Sequence, residues 1–180
     1  MVDISNIEKK LTEKEEALDE VILKGRTAVR SCSNTIKAVH AGDMKTAKKH
    51  LGEAEKTVKQ LLKRKQQFPN QVNHVLQEYA EALITLEAVQ KKRIPGQKEL
   101  DVEEVPYVLG LLDSVGELKR EMYESIRKNK KKDAEKYFAL MEEIFDALLP
   151  LRFSNAILPE FRRKQDVARI QIEQARGELL

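Results

Sequence analysis

Apolar residues recur along this chain at three- and four-residue intervals and nowhere alternate as a half-buried strand would. Ser5-Asn-Ile-Glu8 has the spacing of a capping box. Ile4, Ile7, Leu11, Leu18, Val21, Ile22, Val29, Ile36 and Val39 then follow at helical intervals as far as His40. This pattern predicts one very long helix, or two nearly collinear ones divided at Gly25, since a glycine inside a helix costs about 1 kcal/mol relative to alanine. Gly42-Asp43 ends it and starts a second helix, from about Asp43 to Gln67, with Ala47, Leu51, Ala54, Val58, Leu61 and Leu62 inward and lysines over most of the other face. Phe68-Pro69-Asn70 breaks that helix. A third runs from about Gln71 to Lys92, and Arg93 to Asp101 reads as irregular. Asp101 is placed to cap a fourth helix, which carries Pro106 in or near its first turn and ends near Asn129. Lys130-Lys-Lys-Asp133 opens a fifth that reaches Leu149, and a last one follows Pro159 to about Gly177. The expected fold is all-α: a single domain over residues 1–180, built as a bundle of long antiparallel helices.

The two most apolar helices each contain a pair of acids. Glu78 and Glu81 lie in the third, Asp113 and Glu117 in the fourth. Spacings of i,i+3 and i,i+4 put each pair on one helix face. On the third helix Val72, Val75, Leu76, Tyr79, Leu83 and Leu86 form the main stripe. Glu78 falls at its edge and Glu81 on the far side, with Ile84 and Ala88, so this helix is expected to be covered on more than one side. On the fourth, Asp113 and Glu117 share a narrow face with Gly110, Ser114 and Arg120, and the small residues there allow a close approach by another backbone or a ligand. An ionised carboxylate taken out of water is costly unless it is paired or binds a metal. Two readings are open: pairing with the many Lys and Arg side chains, or a four-carboxylate, all-oxygen site for Mg²⁺ or Mn²⁺ that hydrolyses a phosphodiester or pyrophosphate bond.

Charged residues make up 35% and aromatics only 5% of the 180 residues, which suits long solvated helices and leaves few rings to stack on bases. A net charge of +3 permits nucleic acid without demanding it. Apolar runs stay short of the roughly 20 residues of a membrane span. The opening Met1-Val-Asp-Ile lacks the basic and apolar regions of a signal peptide. A single cysteine, Cys32, rules out a disulfide framework within the chain and reads as a small buried residue in a reducing compartment. The expected location is the cytoplasm. No His has a Glu three residues before it, which disfavours a ferritin-like di-iron site. His-Glu-x-x-His, the P-loop and the dinucleotide glycine motif are all absent.

Leu76-Gln-Glu-Tyr-Ala-Glu-Ala82 and Tyr107-Val-Leu-Gly-Leu-Leu-Asp-Ser-Val-Gly-Glu-Leu118 resemble the paired acid segments of the translin superfamily, in particular its factor-X-like branch. Ile36-Lys-Ala-Val-His-Ala-Gly-Asp43, Arg162-Arg-Lys-Gln-Asp-Val-Ala-Arg169 and Ala175-Arg-Gly-Glu178 are similar to archaeal members. The resemblance spans nearly the whole chain. It implies about seven helices, subunits assembled into a hollow and roughly octameric shell, and binding of RNA or single-stranded DNA. In the factor-X-like branch it further implies Mg²⁺-dependent endoribonuclease activity, with catalytic and metal-holding acids that match Glu78, Glu81, Asp113 and Glu117. The chain is shorter than the eukaryotic members, so a homo-oligomer is expected. Two rivals stand beside this reading. One is a non-catalytic RNA- or DNA-binding shell. The other is an all-α nucleotide pyrophosphatase, whose usual Glu-x-x-Asp ending is replaced here by Asp-x-x-x-Glu.

A nuclease of this kind needs cations to hold phosphates. Arg26, Arg30, Lys37 and His40 share one side of the first helix and form the candidate nucleic-acid stripe. Arg120, one turn beyond Glu117, is a further candidate for a phosphate or for pairing with the acids. Arg162-Arg-Lys164 reads mainly as structural pairing. Tyr79 points to the apolar stripe, which suits a core role. His40 also fits a helix-end or proton-transfer role.

Overall fold

The computed structural model describes residues 4–179. Met1 to Asp3, which open the stretch read as lacking a signal peptide, and Leu180 lie outside the described residues. The described chain forms seven helices: α1 (Ser5–His40), α2 (Met44–Leu62), α3 (Pro69–Lys91), α4 (Gln97–Leu100), α5 (Glu104–Arg127), α6 (Lys131–Leu148) and α7 (Phe161–Leu179). No strand occurs among the described residues. No helix there is long and apolar enough to cross a membrane.

α1 is a single unbroken helix of 36 residues, so Gly25 does not divide it. The glycine serves packing instead: a Cβ there would come within 3.2 Å of Val75 Cγ2, and its absence lets α1 lie close on α3. Helix geometry already begins at Ser5, so Ile4 and not Ser5 holds the cap position. Gly42, at φ 76°, turns the chain, and the Asp43 carboxylate accepts the amide of Thr46 to cap α2. α2 ends at Leu62, earlier than expected, and Leu62 itself is 41% exposed. Asp101 does not cap α5. It takes a left-handed conformation after the short α4, and α5 starts at Glu104 behind Glu103.

α3 is the central element. One face packs with α1 and α2 around Val21, Ala28, Val58, Leu61, Val72 and Val75. The other joins a larger core shared with α5, α6 and α7, in which Ile84, Val115, Leu118, Met122, Met141 and Ile144 are almost fully buried. Burial of α3 on both sides follows from apolar residues spread around most of its circumference. The acids at its remaining edge are therefore held where the two cores meet. α1 is far longer than α2, and Ile4, Ile7 and Leu11 on its first turns are exposed in the single chain.

Candidate active site

α3 and α5 touch backbone to backbone at Gly110, which is buried against Ala80 and Glu81. This contact sets the two acid pairs side by side. Glu78, Glu81, Asp113 and Glu117 line one pocket of about 350 Å³. Its third wall is α7, which contributes Arg163, Lys164, Val167 and Gln171. Gly116 gives α7 room, since a Cβ there would meet the Gln171 carboxamide at 3.1 Å. A larger groove of about 790 Å³ shares Glu78, Arg163 and Lys164 with this pocket and extends past Gln77, Asn73 and Asn70.

Each acid meets a different environment. Asp113 has both oxygens engaged: Lys164 Nζ donates to Oδ1 at 2.5 Å and Gln77 Nε2 to Oδ2 at 2.7 Å. Glu117 lies 2.5 Å from His40 Nε2, and the other ring nitrogen lies 2.6 Å from Glu121. A ring with a carboxylate on both nitrogens donates to both only as imidazolium. Burial works against that charge, but the hydrogen bonds and charges of Glu117 and Glu121 outweigh it and raise the His40 pKa to about 9. Glu81 is pushed up to about 8, first by burial and then by the charges of Asp113, Glu78 and Glu117, with Lys164 opposing. The acids feel one another electrostatically, and the pocket is short of positive charge.

The chemistry of this donor set suits a hard divalent cation: four carboxylates, no sulfur, and an ammonium already drawn in among them. The side chains are not in ligating positions, however. Among the described residues no three His, Cys, Asp or Glu groups are gathered as a metal site. Asp113 is taken up by Lys164 and Gln77, and Glu117 by His40. Glu78, Glu81, Asp113 and Glu117 are the residues that would hold the ion once Asp113 is released.

The basic candidates separate. Arg26 and Arg30 are exposed on α1 beside Gln71 and His74, in a depression apart from the acid pocket. Lys37 is exposed. His40 is a correction: its side chain is only 8% exposed and faces α5, so it belongs with the acids and not to a solvent-facing stripe. Arg120 is exposed and outside the pocket lining. The pairing expected of Arg162 to Lys164 is met by Arg163 on Glu160 and by Lys164 on Asp113, and the second pair reaches into the site. Lys164, Gln77 and Glu121 were missed as site residues. The basic triplet at the head of α7 marked the lysine. Gln77 and Glu121 carry no comparable signal, because only the packing of α5 against its neighbours brings them in. Cys32 is buried, and burial followed by the charges of Glu78 and Glu81 pushes its thiol up to about 12, which makes it an inert core residue.

Residues 3–175 match the family model of the Translin family. The chain belongs to the Translin family. An uncharacterized protein of Methanocaldococcus jannaschii is 31% identical over 174 residues, which cover 94% of this chain and 78% of that one. Among solved structures, AfC3PO in complex with duplex RNA superposes with a TM-score of 0.88 at 25% identity, covering 98% of this chain and 94% of that one. Apo-NeC3PO gives the same TM-score at 24% identity, over 99% and 96% of the two chains, and this likeness speaks for the fold alone. The acid pocket is thus a feature of a Translin-family bundle, framed by its third, fifth and seventh helices.

Proposed function

We propose that this Translin-family protein binds RNA and hydrolyses its phosphodiester bonds as a Mg²⁺- or Mn²⁺-dependent endoribonuclease, working as a hollow homo-oligomer of about eight subunits. The observation that carries the proposal is the gathering of four carboxylates from α3 and α5 around one pocket beside a basic edge, Arg163 and Lys164. The duplex RNA bound by AfC3PO supports RNA as the partner. The exposed apolar residues Ile4, Ile7 and Leu11 support an assembly in which another subunit covers the start of α1.

A bound divalent ion supplies an activated water and stabilises charge on the phosphate oxygens. The chain supplies the rest. Glu78, Glu81, Asp113 and Glu117 would hold the ion, and one of these carboxylates would accept the proton of the attacking water. His40 fixes Glu117 through its Nε2–H while Glu121 fixes the ring from behind. Arg163 and Lys164 stand where the phosphate enters from the adjoining groove.

A non-catalytic RNA-binding role is favoured by one specific observation, the full engagement of Asp113 by Lys164 and Gln77. Incubation of end-labelled RNA with Mg²⁺, Mn²⁺ or EDTA separates the two. The nuclease reading expects internal cuts that EDTA abolishes. RNA that is bound but stays intact in every condition moves the protein to the binding class.

A further inference from the structure

Lys164 stands at the junction of the acid pocket and the adjoining groove and lines both. It rises from the first turn of α7, its side chain is only 14% exposed, and Nζ lies 2.5 Å from Asp113 Oδ1. Lysines normally run their stems over apolar surface and leave the ammonium in water. This one is drawn in among carboxylates instead. With Gln77 on Oδ2, it leaves Asp113 without a free oxygen for a metal ion. A hard cation binds carboxylate oxygens directly, so the ion and the ammonium compete for the same atoms.

We propose that Lys164 is the built-in counter-cation of the acid pocket: a divalent ion displaces it from Asp113, and the freed ammonium then holds the RNA phosphate arriving from the groove. The inference rests on the nuclease reading and names the order of events at its site. The geometry allows both positions, because a four-carbon stem with rotatable bonds can swing its charge between two sides of one junction. Arg163 is less suited to the exchange, since it is exposed and already pairs with Glu160 at 2.5 Å. Until the ion arrives, Lys164 offsets part of the repulsion among the acids. Afterwards it becomes a point charge for phosphate.

The two roles have opposite signatures on removal of the charge. Lys164→Met should strengthen metal binding and weaken productive RNA binding, whereas a lysine that merely fastens α7 to α5 would lower thermal stability and do neither. Calorimetric titration of Mn²⁺ into the RNA-free, full-length protein reads the first effect. Lys164→Met should bind Mn²⁺ about tenfold more tightly than wild type, the equivalent of one charged hydrogen bond no longer given up. Lys164→Arg should stay close to wild type. In an Asp113→Ala background the Lys164→Met substitution should have a much smaller effect, because the competed oxygens are gone. At saturating Mn²⁺, Lys164→Met should raise KM for RNA more than it lowers kcat. Lys164→Gln carries the same expectations should the Met variant fail to fold. Mn²⁺ affinity that is equal or weaker in a folded, charge-free variant overturns the role of Lys164 while leaving the metal site standing. If neither wild type nor variant binds Mn²⁺, the metal reading itself falls, and the inference with it.

Discussion

Gly110 of α5 and Ala80 of α3 meet so closely that a Cβ built on the glycine would stand 2.8 Å from the Ala80 Cβ and 2.9 Å from the amide nitrogen of Glu81. That single contact fixes how near the two acid pairs come. Gly110→Val should therefore destabilise the protein by about 3 kcal/mol through overpacking, and should also reduce any activity of the acid pocket by separating α3 from α5. Gly52, in α2 with open space around it, is the internal control, since Gly52→Ala should raise stability by up to about 1 kcal/mol. Chemical denaturation of both variants checks the contrast, and equal effects would show that the close approach at Gly110 carries no special weight.

His40 ties α1 to α5 through two carboxylates that would otherwise face each other unpaired. His40→Ala should cost about 2 kcal/mol, most of it from leaving Glu117 and Glu121 without a donor. Adding Glu121→Gln should restore part of that loss, because it removes one of the stranded charges. A double-mutant cycle by urea unfolding reads the coupling. Simple additivity would mean the bridge contributes nothing in solution.

The pocket also predicts how the metal-free protein responds to pH. Glu81 titrates near 8 in the folded chain against an ordinary 4.5, so its contribution is complete below pH 4.5 and is lost as pH rises through 8. His40 titrates near 9 against 6.5, so its contribution is complete below pH 6.5 and is lost as pH rises through 9. Both changes run the same way. In EDTA the melting temperature should fall steadily from pH 6.5 to 9, and Glu81→Gln should flatten the lower part of that decline. A melting temperature that rises over this window would contradict the charge balance described for the pocket.

Arg26 and Arg30 are exposed on α1, away from the acids, and remain candidates for holding RNA phosphates. If both do so, Arg26→Ala with Arg30→Ala should weaken RNA binding and reduce the slope of log affinity against log salt by about 2. Filter binding across a salt series reads this, and an unchanged slope would assign the two arginines to a solvated face.

Much of this molecule was legible along the chain because helical periodicity and acid spacing are local properties. The acid pairs could be placed on two helices, and the small residues Gly110 and Ser114 beside one pair pointed to a close approach there, whereas the role of Gly116 against Gln171 shows only in the packing of α7. What was not legible depends on tertiary contact. Gly25 reads as a weak point until Val75 is seen packed against it. His40 shares a helical side with Arg26 and Arg30, but the turn of α1 against α5 buries it between two glutamates. Lys164 is 51 residues from Asp113, and only the return of α7 onto α5 brings the two together. Ile4, Ile7 and Leu11 follow the helical pattern of a buried face, yet α2 is too short to cover them.

The most direct measurement compares wild type with Glu81→Gln on a labelled RNA, recording both binding and Mn²⁺-dependent cleavage. Glu81 sits among Glu78, Asp113 and Glu117, and the amide keeps its shape while removing a metal-binding charge. Cleavage should disappear while RNA affinity stays within about twofold of wild type, since a ligand to the ion is lost and no phosphate contact is touched. Undiminished cleavage by Glu81→Gln would contradict the assignment of the four-carboxylate pocket as the site of the reaction.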